Sequence, residues 1–191
     1  SEKVLAAYQA GARCFGENKA QEAVTKIDEV NLPDVSWHFI GHLQTNKIKY
    51  LDSRFDLIHS VDSLSLAKKI STYCEDQNRT QAVLLQVNIS GEEAKFGMTP
   101  SELKNQLSNF GQLKGVRVQG LMTIPPQDPE PENSRKYFLK LRELRDTCQA
   151  LKVEGIELND LSMGMTSDYK IAVEEGATLV RVGSAIFGSR S

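Results

Sequence analysis

The stretch ELNDLSMGMTSDYKIAVEEGATLVRV, residues 157–182, indicates how the chain is folded. Residues 157–162 have the pattern of a β-strand, residues 167–175 that of a helix closed by Gly176, and residues 178–182 that of a second strand. A strand, a helix and a strand at this spacing are typical of a right-handed βαβ unit, in which the two strands are parallel. The sequence is therefore predicted to be α/β.

The same alternation of helix and strand patterns extends through the rest of the sequence. Helical or near-helical segments separate each strand from the next, and no Asn-Gly hairpin signal occurs. The first element is a helix over residues 1–10, with no strand before it. The seven predicted strands span residues 12–16, 37–41, 56–61, 82–89, 116–124, 157–162 and 178–182.

Two architectures compete for this pattern of parallel strands. A doubly wound sheet carries a G-x-G-x-x-G turn after an early strand, and the sequence has none. A (β/α)8 TIM barrel needs eight strands and typically ~250 residues. A barrel that lacks its first strand explains the seven strands, the opening helix and the length of 191 residues together. We predict one such barrel domain over residues 1–191.

Composition and charge limit the classes of function. Hydrophobic residues make up 40% of the sequence and charged residues 25%, which disfavours disorder, collagen and coiled coil. The 23 basic and 25 acidic side chains give a formal charge of −2. This balance offers no broad electrostatic footprint for nucleic acid or for an anionic membrane. A small ligand bound by a local site is the better expectation.

The cysteines and the apolar runs indicate a cytoplasmic protein. Cys14, Cys74 and Cys148 are far apart and form neither a C-x-x-C pair nor a cluster with zinc spacing. They fit a reducing compartment. No apolar stretch approaches the ~18 residues that a membrane span needs. The sequence also has no H-E-x-x-H, G-x-S-x-G or P-loop motif, so metal chemistry and acyl transfer have no support.

Two loops are candidates for a phosphate site. In a barrel, phosphate is often held by the loops that follow the last two strands, which here are residues 162–168 and 183–188. Each places glycine beside a small or hydroxyl residue where a strand turns into a helix, so backbone N–H groups and hydroxyls can converge on an anion. The other interpretation is that Thr166, Ser167 and Asp168 cap a helix and the glycines serve tight turns.

Four polar residues in or next to strands have two interpretations each. Arg181 lies in an apolar strand, so its guanidinium needs an acceptor, either a carboxylate of the protein or a heteroatom of a ligand. Asn18 is predicted to cap the following helix in a capping box with Gln21, and it also lies at a strand end. His38 and His59 lie in strands, where a histidine is more often a hydrogen-bonded core residue than a functional one.

Five motifs, taken together, closely resemble the YggS/PROSC family of pyridoxal 5'-phosphate (PLP) homeostasis proteins. The resemblance extends from Ser1 to the C-terminus. The motifs are FGEN at 15–18 with QE at 21–22, WHFIGHLQTNK at 37–47, GLM at 120–122, LSMGMTSD at 161–168 and RVGSAIFG at 181–188.

The resemblance implies a barrel like the N-terminal domain of alanine racemase, with PLP at its mouth. It puts the phosphate against the two candidate loops, Arg181 near the pyridine nitrogen, Asn18 near the ring substituents and His38 close by. An arginine at that nitrogen disfavours its protonation and weakens the ring as an electron sink. The implied cofactor-binding residues are Asn18, His38, Ser162, Gly164, Met165, Thr166, Arg181, Gly183 and Ser184.

In this family the Schiff-base lysine stands at the end of the first strand, ahead of the helix that here begins at Ser1. We therefore expect that strand and that lysine to lie upstream of Ser1, outside the 191 residues. Lys19, Lys47 and Lys95 match other parts of the family pattern. Each of them is in a helix or loop context.

The resemblance implies a PLP-binding protein of PLP homeostasis and of amino-acid and keto-acid balance. We expect a carrier or regulator without catalytic residues, a cytoplasmic monomer whose small-molecule partner is PLP. The alternative is a fold-type III PLP-dependent amino-acid racemase or another phosphate-binding barrel enzyme. A racemase needs an acid/base group across the ring, commonly a tyrosine, and Tyr169 is the only tyrosine close to the two loops.

Overall fold

A computed structural model describes residues 1–188. Strands and helices alternate along it, and two short 3-10 helices lie at Thr45–Tyr50 and Pro131–Ser134. The strands are β1 (Cys14–Glu17), β2 (Ser36–Phe39), β3 (Leu57–Val61), β4 (Gln81–Gln86), β5 (Val116–Met122), β6 (Ile156–Met165) and β7 (Leu179–Arg181). The helices are α1 (Glu2–Gln9), α2 (Ala20–Val30), α3 (Leu64–Asp76), α4 (Pro100–Gly111), α5 (Arg135–Ala150), α6 (Tyr169–Glu174) and α7 (Ser184–Phe187).

The seven strands form one parallel sheet whose spatial order is the order of the sequence. Each strand returns to the next through a helical connection, so the sheet curves into a nearly closed barrel with the helices outside. At the seam, Lys3 Nζ of α1 donates to the Phe187 carbonyl of α7 at 2.6 Å, which brings the two ends of the sheet side by side. The predicted barrel with seven strands in this chain is confirmed, and the eighth strand stays a prediction.

Two apolar layers stabilise the barrel. A large cluster fills the space between the strands and the surrounding helices. A smaller cluster of Leu57, Ala82, Leu84 and Met122, with Leu179 packed against it, lies on the other face of the sheet. Strand residues alternate between faces, so this second cluster fills part of the barrel interior. The polar residues His59 and Ser162 of β3 and β6 are also buried.

Side-chain caps set two of the seven helix starts in residues 1–188. Ser63 caps α3 by accepting from the Leu66 amide, and Thr99 forms a capping box with Glu102 at α4. The capping box predicted for Asn18 and Gln21 is wrong, because α2 begins one residue later with Lys19 as its N-cap and no side-chain cap.

Within residues 1–188, no helix is long and apolar enough to cross a membrane.

Candidate functional site

The carboxyl ends of the parallel strands meet at one end of the barrel, and the loops after β6 and β7 lie side by side there. The backbone N–H of Gly183 donates to the Thr166 hydroxyl at 3.2 Å, which joins the two loops directly. The loops that sequence position singled out are therefore neighbours in space. Hydroxyls and backbone amides from both of them converge on one place at the mouth.

Gly164 shapes the first of these loops. Its φ of +91° favours glycine, and an added Cβ would lie 2.5 Å from the Cβ of Ala172 on α6. The buried Asp168 carboxylate then accepts from the Met165 amide at 2.7 Å and holds the turn closed. Thr166 is consequently presented at the top of the loop, while Ser162 remains buried below it.

The second loop is open toward the mouth. A Cβ added at Gly183 would meet no atom within 4 Å. Ser184 begins α7 and is exposed, and the first amides of any helix lack acceptors within it. This loop therefore offers both room and donors beside Thr166. Those are the features that a phosphate group requires.

Arg181 lies at the end of β7 and points its guanidinium toward the neighbouring strands. One terminal nitrogen donates to the Ser162 hydroxyl at 2.5 Å and the other to the Thr123 carbonyl at 2.8 Å. No carboxylate of residues 1–188 forms a salt bridge with it. Burial lowers the pKa of Arg181 to about 10, although Asp168 opposes the shift. The guanidinium is thus still positively charged at neutral pH and is held by two uncharged oxygens.

The Ser162 hydroxyl also connects to two histidines of the barrel interior. His59 Nδ1 lies 2.8 Å from it, and His59 Nε2 lies 3.0 Å from Nδ1 of His38. Burial, assisted by His38 and Arg181, lowers the pKa of His59 well below its usual value. Burial also lowers the pKa of His38, against the attraction of Asp56 and Asp160. Both imidazoles are therefore neutral at neutral pH.

Asn18 lies at the mouth on the opposite edge of the sheet, just after β1, and its side chain is exposed. Its backbone packs closely against the turn after β2. The approach is so close that a Cβ added at Gly41 would lie 2.0 Å from the Asn18 carbonyl oxygen. Tertiary packing thus sets the course of the backbone at this position. The side chain has no hydrogen bond to any residue in 1–188.

Comparison with known proteins identifies the family of this chain. The family model described as "Alanine racemase, N-terminal domain" matches residues 1–191. A pyridoxal phosphate homeostasis protein of Aquifex aeolicus is 47% identical over 96% of this chain and 79% of its own length. One from Synechocystis is 40% identical over 98% of this chain and 85% of its own length.

The chain belongs to the YggS/PROSC family of pyridoxal phosphate homeostasis proteins. A solved member of this family is PipY of Synechococcus elongatus, whose structure with PLP bound superposes with a TM-score of 0.88 at 39% identity. That alignment covers 97% of this chain and 86% of PipY. An alanine racemase of Clostridium difficile, at 12% identity and a TM-score of 0.78, shares the fold.

The structure brings most of the residues predicted for the site together and leaves one of them apart. Residues of the two loops and Arg181 form one cluster, and His38 joins it only through His59. Asn18 stands apart, across the seam between β1 and β7. The Schiff-base lysine stays a prediction. The members of the cluster are Ser162, Gly164, Met165, Thr166, Arg181, Gly183 and Ser184.

His59 and Thr123 are part of the site's framework, and the sequence did not single them out for it. His59 lies in the run LIHSV, residues 57–61, all of which are buried. A polar ring inside such a run needs hydrogen-bond partners. This need was the one feature of the sequence that could have indicated a role for His59. Its partner Ser162 is 103 residues away in sequence, so no local pattern could have named it.

Proposed function

We propose that the protein binds PLP at the barrel mouth, with the phosphate between the loops after β6 and β7 and the ring beside Arg181. The observation that carries the proposal is the bond between Gly183 and Thr166, which unites two donor-bearing loops next to an anchored arginine. PipY, which has the same fold at 39% identity, is known with PLP bound, and this supports the assignment.

The residues present suit the chemistry of PLP. A phosphate dianion favours a place rich in amides and hydroxyls. Thr166 and Ser184 supply both beside Gly183, whose own amide donates to Thr166. PLP, when bound, supplies a reactive aldehyde and a ring that can withdraw electrons. Arg181 stays a cation at neutral pH, and a cation beside the ring nitrogen disfavours protonation of that nitrogen. The ring then withdraws electrons only weakly, which suits a carrier or regulator better than an enzyme.

The phosphate contact is tested by Thr166→Val, which removes the hydroxyl and keeps the shape of the side chain. Loss of one hydrogen bond to a charged group costs about 1.5–3 kcal/mol, so we expect PLP to bind at least about tenfold more weakly. Binding of pyridoxal, which lacks the phosphate, should not change. Equilibrium dialysis with both compounds gives the two affinities.

The matched control is Thr147→Val on α5. Its hydroxyl donates to the Glu143 carbonyl at 2.8 Å, away from the barrel mouth. This variant should bind PLP like the unsubstituted protein. A protein that binds no PLP, or a loss that is equal for the two threonine variants or equal for PLP and pyridoxal, would contradict the proposed site.

We further propose that the protein does not turn over amino acids at enzymatic rates. Tyr169, at the start of α6, is half-buried behind Gly164, whose added Cβ would lie 3.0 Å from the Tyr169 Cα. This placement offers little support for an acid/base role across the ring. Exchange of α-protons in deuterated water, followed over a panel of amino acids, should be slow. Exchange at ordinary enzyme rates of about 1 per second or more would favour the racemase alternative.

We also propose a cytoplasmic monomer. Cys14, Cys74 and Cys148 are all free thiols, which supports a reducing compartment. Sedimentation at several protein concentrations should give one species with the mass of one chain. A mass that rises with concentration would contradict the monomer.

A further inference from the structure

A continuous set of hydrogen bonds crosses the barrel from Arg181 to the amino end of β3. Beyond the two histidines, His38 Nε2 lies 3.1 Å from the Ser36 hydroxyl, and that hydroxyl donates to Asp56 Oδ2 at 2.7 Å. We call the whole set the trans-barrel network. Its members, in order, are Arg181, Ser162, His59, His38, Ser36 and Asp56.

The two ends of the network have opposite and fixed hydrogen-bonding character. A guanidinium can only donate, and an ionised carboxylate can only accept. Ser162 therefore accepts from Arg181 through its oxygen, and its own proton is available for His59 Nδ1. At the far end, Ser36 gives its proton to Asp56, so its oxygen is available to accept from His38 Nε2.

These two constraints leave one arrangement of protons between the ends. His59 accepts at Nδ1 and must carry its proton on Nε2, from which it donates to Nδ1 of His38. His38 then carries its proton on Nε2, from which it donates to Ser36. Cys14 Sγ lies 3.7 Å from both ring nitrogens of His38, and a thiol is a weak partner beside contacts of 3.0 and 3.1 Å.

We propose that the trans-barrel network runs in a single direction, fixes His59 and His38 as neutral Nε2–H tautomers, and thereby positions Arg181 for the cofactor. His59 is thus a positioning residue that acts through Ser162. If its tautomer were reversed, His59 would donate to Ser162, and the serine proton would have to find another acceptor. The statement about the cofactor rests on the proposed function, and the statement about the tautomers does not.

Nitrogen NMR on the protein labelled with 15N-histidine measures the tautomers directly, without cofactor. At neutral pH, His59 and His38 should each show a protonated Nε2 and an unprotonated Nδ1. His42, which stacks on Phe96 and contacts Asp62 outside the network, is the internal control. A protonated Nδ1 on either network histidine would overturn the proposal.

Ser36→Ala separates a positioning role from a merely structural one. Removal of the acceptor for His38 Nε2–H should give His38 a mixture of tautomers, visible as a loss of its Nε2–H signal. Ser36→Thr keeps the hydroxyl and should restore that signal. Ser60→Ala, at a buried serine of β3 whose hydroxyl donates to the Gly41 carbonyl instead, should leave both histidines unchanged. An unchanged His38 in Ser36→Ala would refute the directional network.

The 15N signals of the Arg181 guanidinium show whether its side chain is held in one orientation. Two anchored terminal nitrogens should rotate slowly and give separate 15N signals in the cofactor-free protein, assigned with Arg181→Lys. Ser162→Ala should merge them. Merged signals in the unsubstituted protein would overturn the positioning of Arg181. If the protein binds PLP but His59 or His38 carries its proton on Nδ1, the network is refuted and the proposed function is not. If both histidines show the expected tautomers but the protein binds no PLP, the proposed function is refuted and the network is not.

Discussion

Replacement of Ser162 by alanine should destabilise the protein more than loss of an ordinary buried hydroxyl. Ser162 is fully buried and serves two partners at once, His59 at 2.8 Å and Arg181 at 2.5 Å. The matched variant is Ser60→Ala. Ser60 is equally inaccessible, but its hydroxyl makes one bond, to the Gly41 carbonyl.

The magnitude follows from what each variant leaves unpaired. Ser162→Ala leaves a buried imidazole nitrogen without a partner, at about 1 kcal/mol, and removes a bond to a charged group, at about 2 kcal/mol. The sum is about 3 kcal/mol. Ser60→Ala removes one uncharged bond and should cost about 1 kcal/mol. For a chain of this size, these values correspond to falls in Tm of about 9 °C and about 3 °C.

Urea unfolding of the cofactor-free protein, followed by circular dichroism, measures both free energies of unfolding. Equal slopes of the free energy against urea concentration would show that the variants change stability and not the extent of unfolding. The reasoning is refuted if Ser162→Ala costs no more than Ser60→Ala. That result would mean that the bonds of Ser162 to His59 and Arg181 contribute nothing beyond a single ordinary hydrogen bond.

Three further features of the fold can be tested, two by substitution and one by pH. Gly164→Ala should cost at least about 2 kcal/mol because of its φ of +91° and its contact with Ala172, whereas Gly183→Ala, with no atom in reach, should stay within about 0.5 kcal/mol in the same urea assay. Thr99→Ala should lose about 1 kcal/mol by removing the N-cap of α4, and Thr99→Ser should retain it. The pKa of His59 is well below 6.5 in the folded protein, so on mild acidification only the unfolded chain binds a proton at this imidazole. The free energy of unfolding should therefore fall as pH drops below about 6.5 and level off above it. A free energy of unfolding that rises on acidification from about pH 6.5 to about pH 5 would contradict the buried neutral imidazole.

The sequence predicted the elements well where local chemistry controls them. Side-chain caps form at Ser63 and Thr99 because a side chain and an amide three residues apart meet whenever a helix forms there. Asn18 has the same local signal and does not cap a helix. Its carbonyl lies against Gly41, so a contact between distant segments determines the backbone at this point.

The site was predictable only where position in the barrel specifies it. The two candidate phosphate loops follow from strand order, because phosphate is often held by the loops after the last two strands of a barrel. Alternation places His59 and Ser162 on the inner faces of β3 and β6. It does not give the relative heights of strands that face each other across the interior, so their contact could not be read from the sequence.

Strand β7 is the shortest of the sheet, with three residues, and only β6 pairs with it within residues 1–188. Segments with few backbone partners open more often than the rest of a fold. The side chain of Arg181 ties this strand through Ser162 to His59 on β3, which is bonded on both sides. Transient detachment of β7 must therefore break the guanidinium contacts at the same moment. If Arg181 lies beside the PLP ring as proposed, opening of this strand would also remove that contact and weaken cofactor binding.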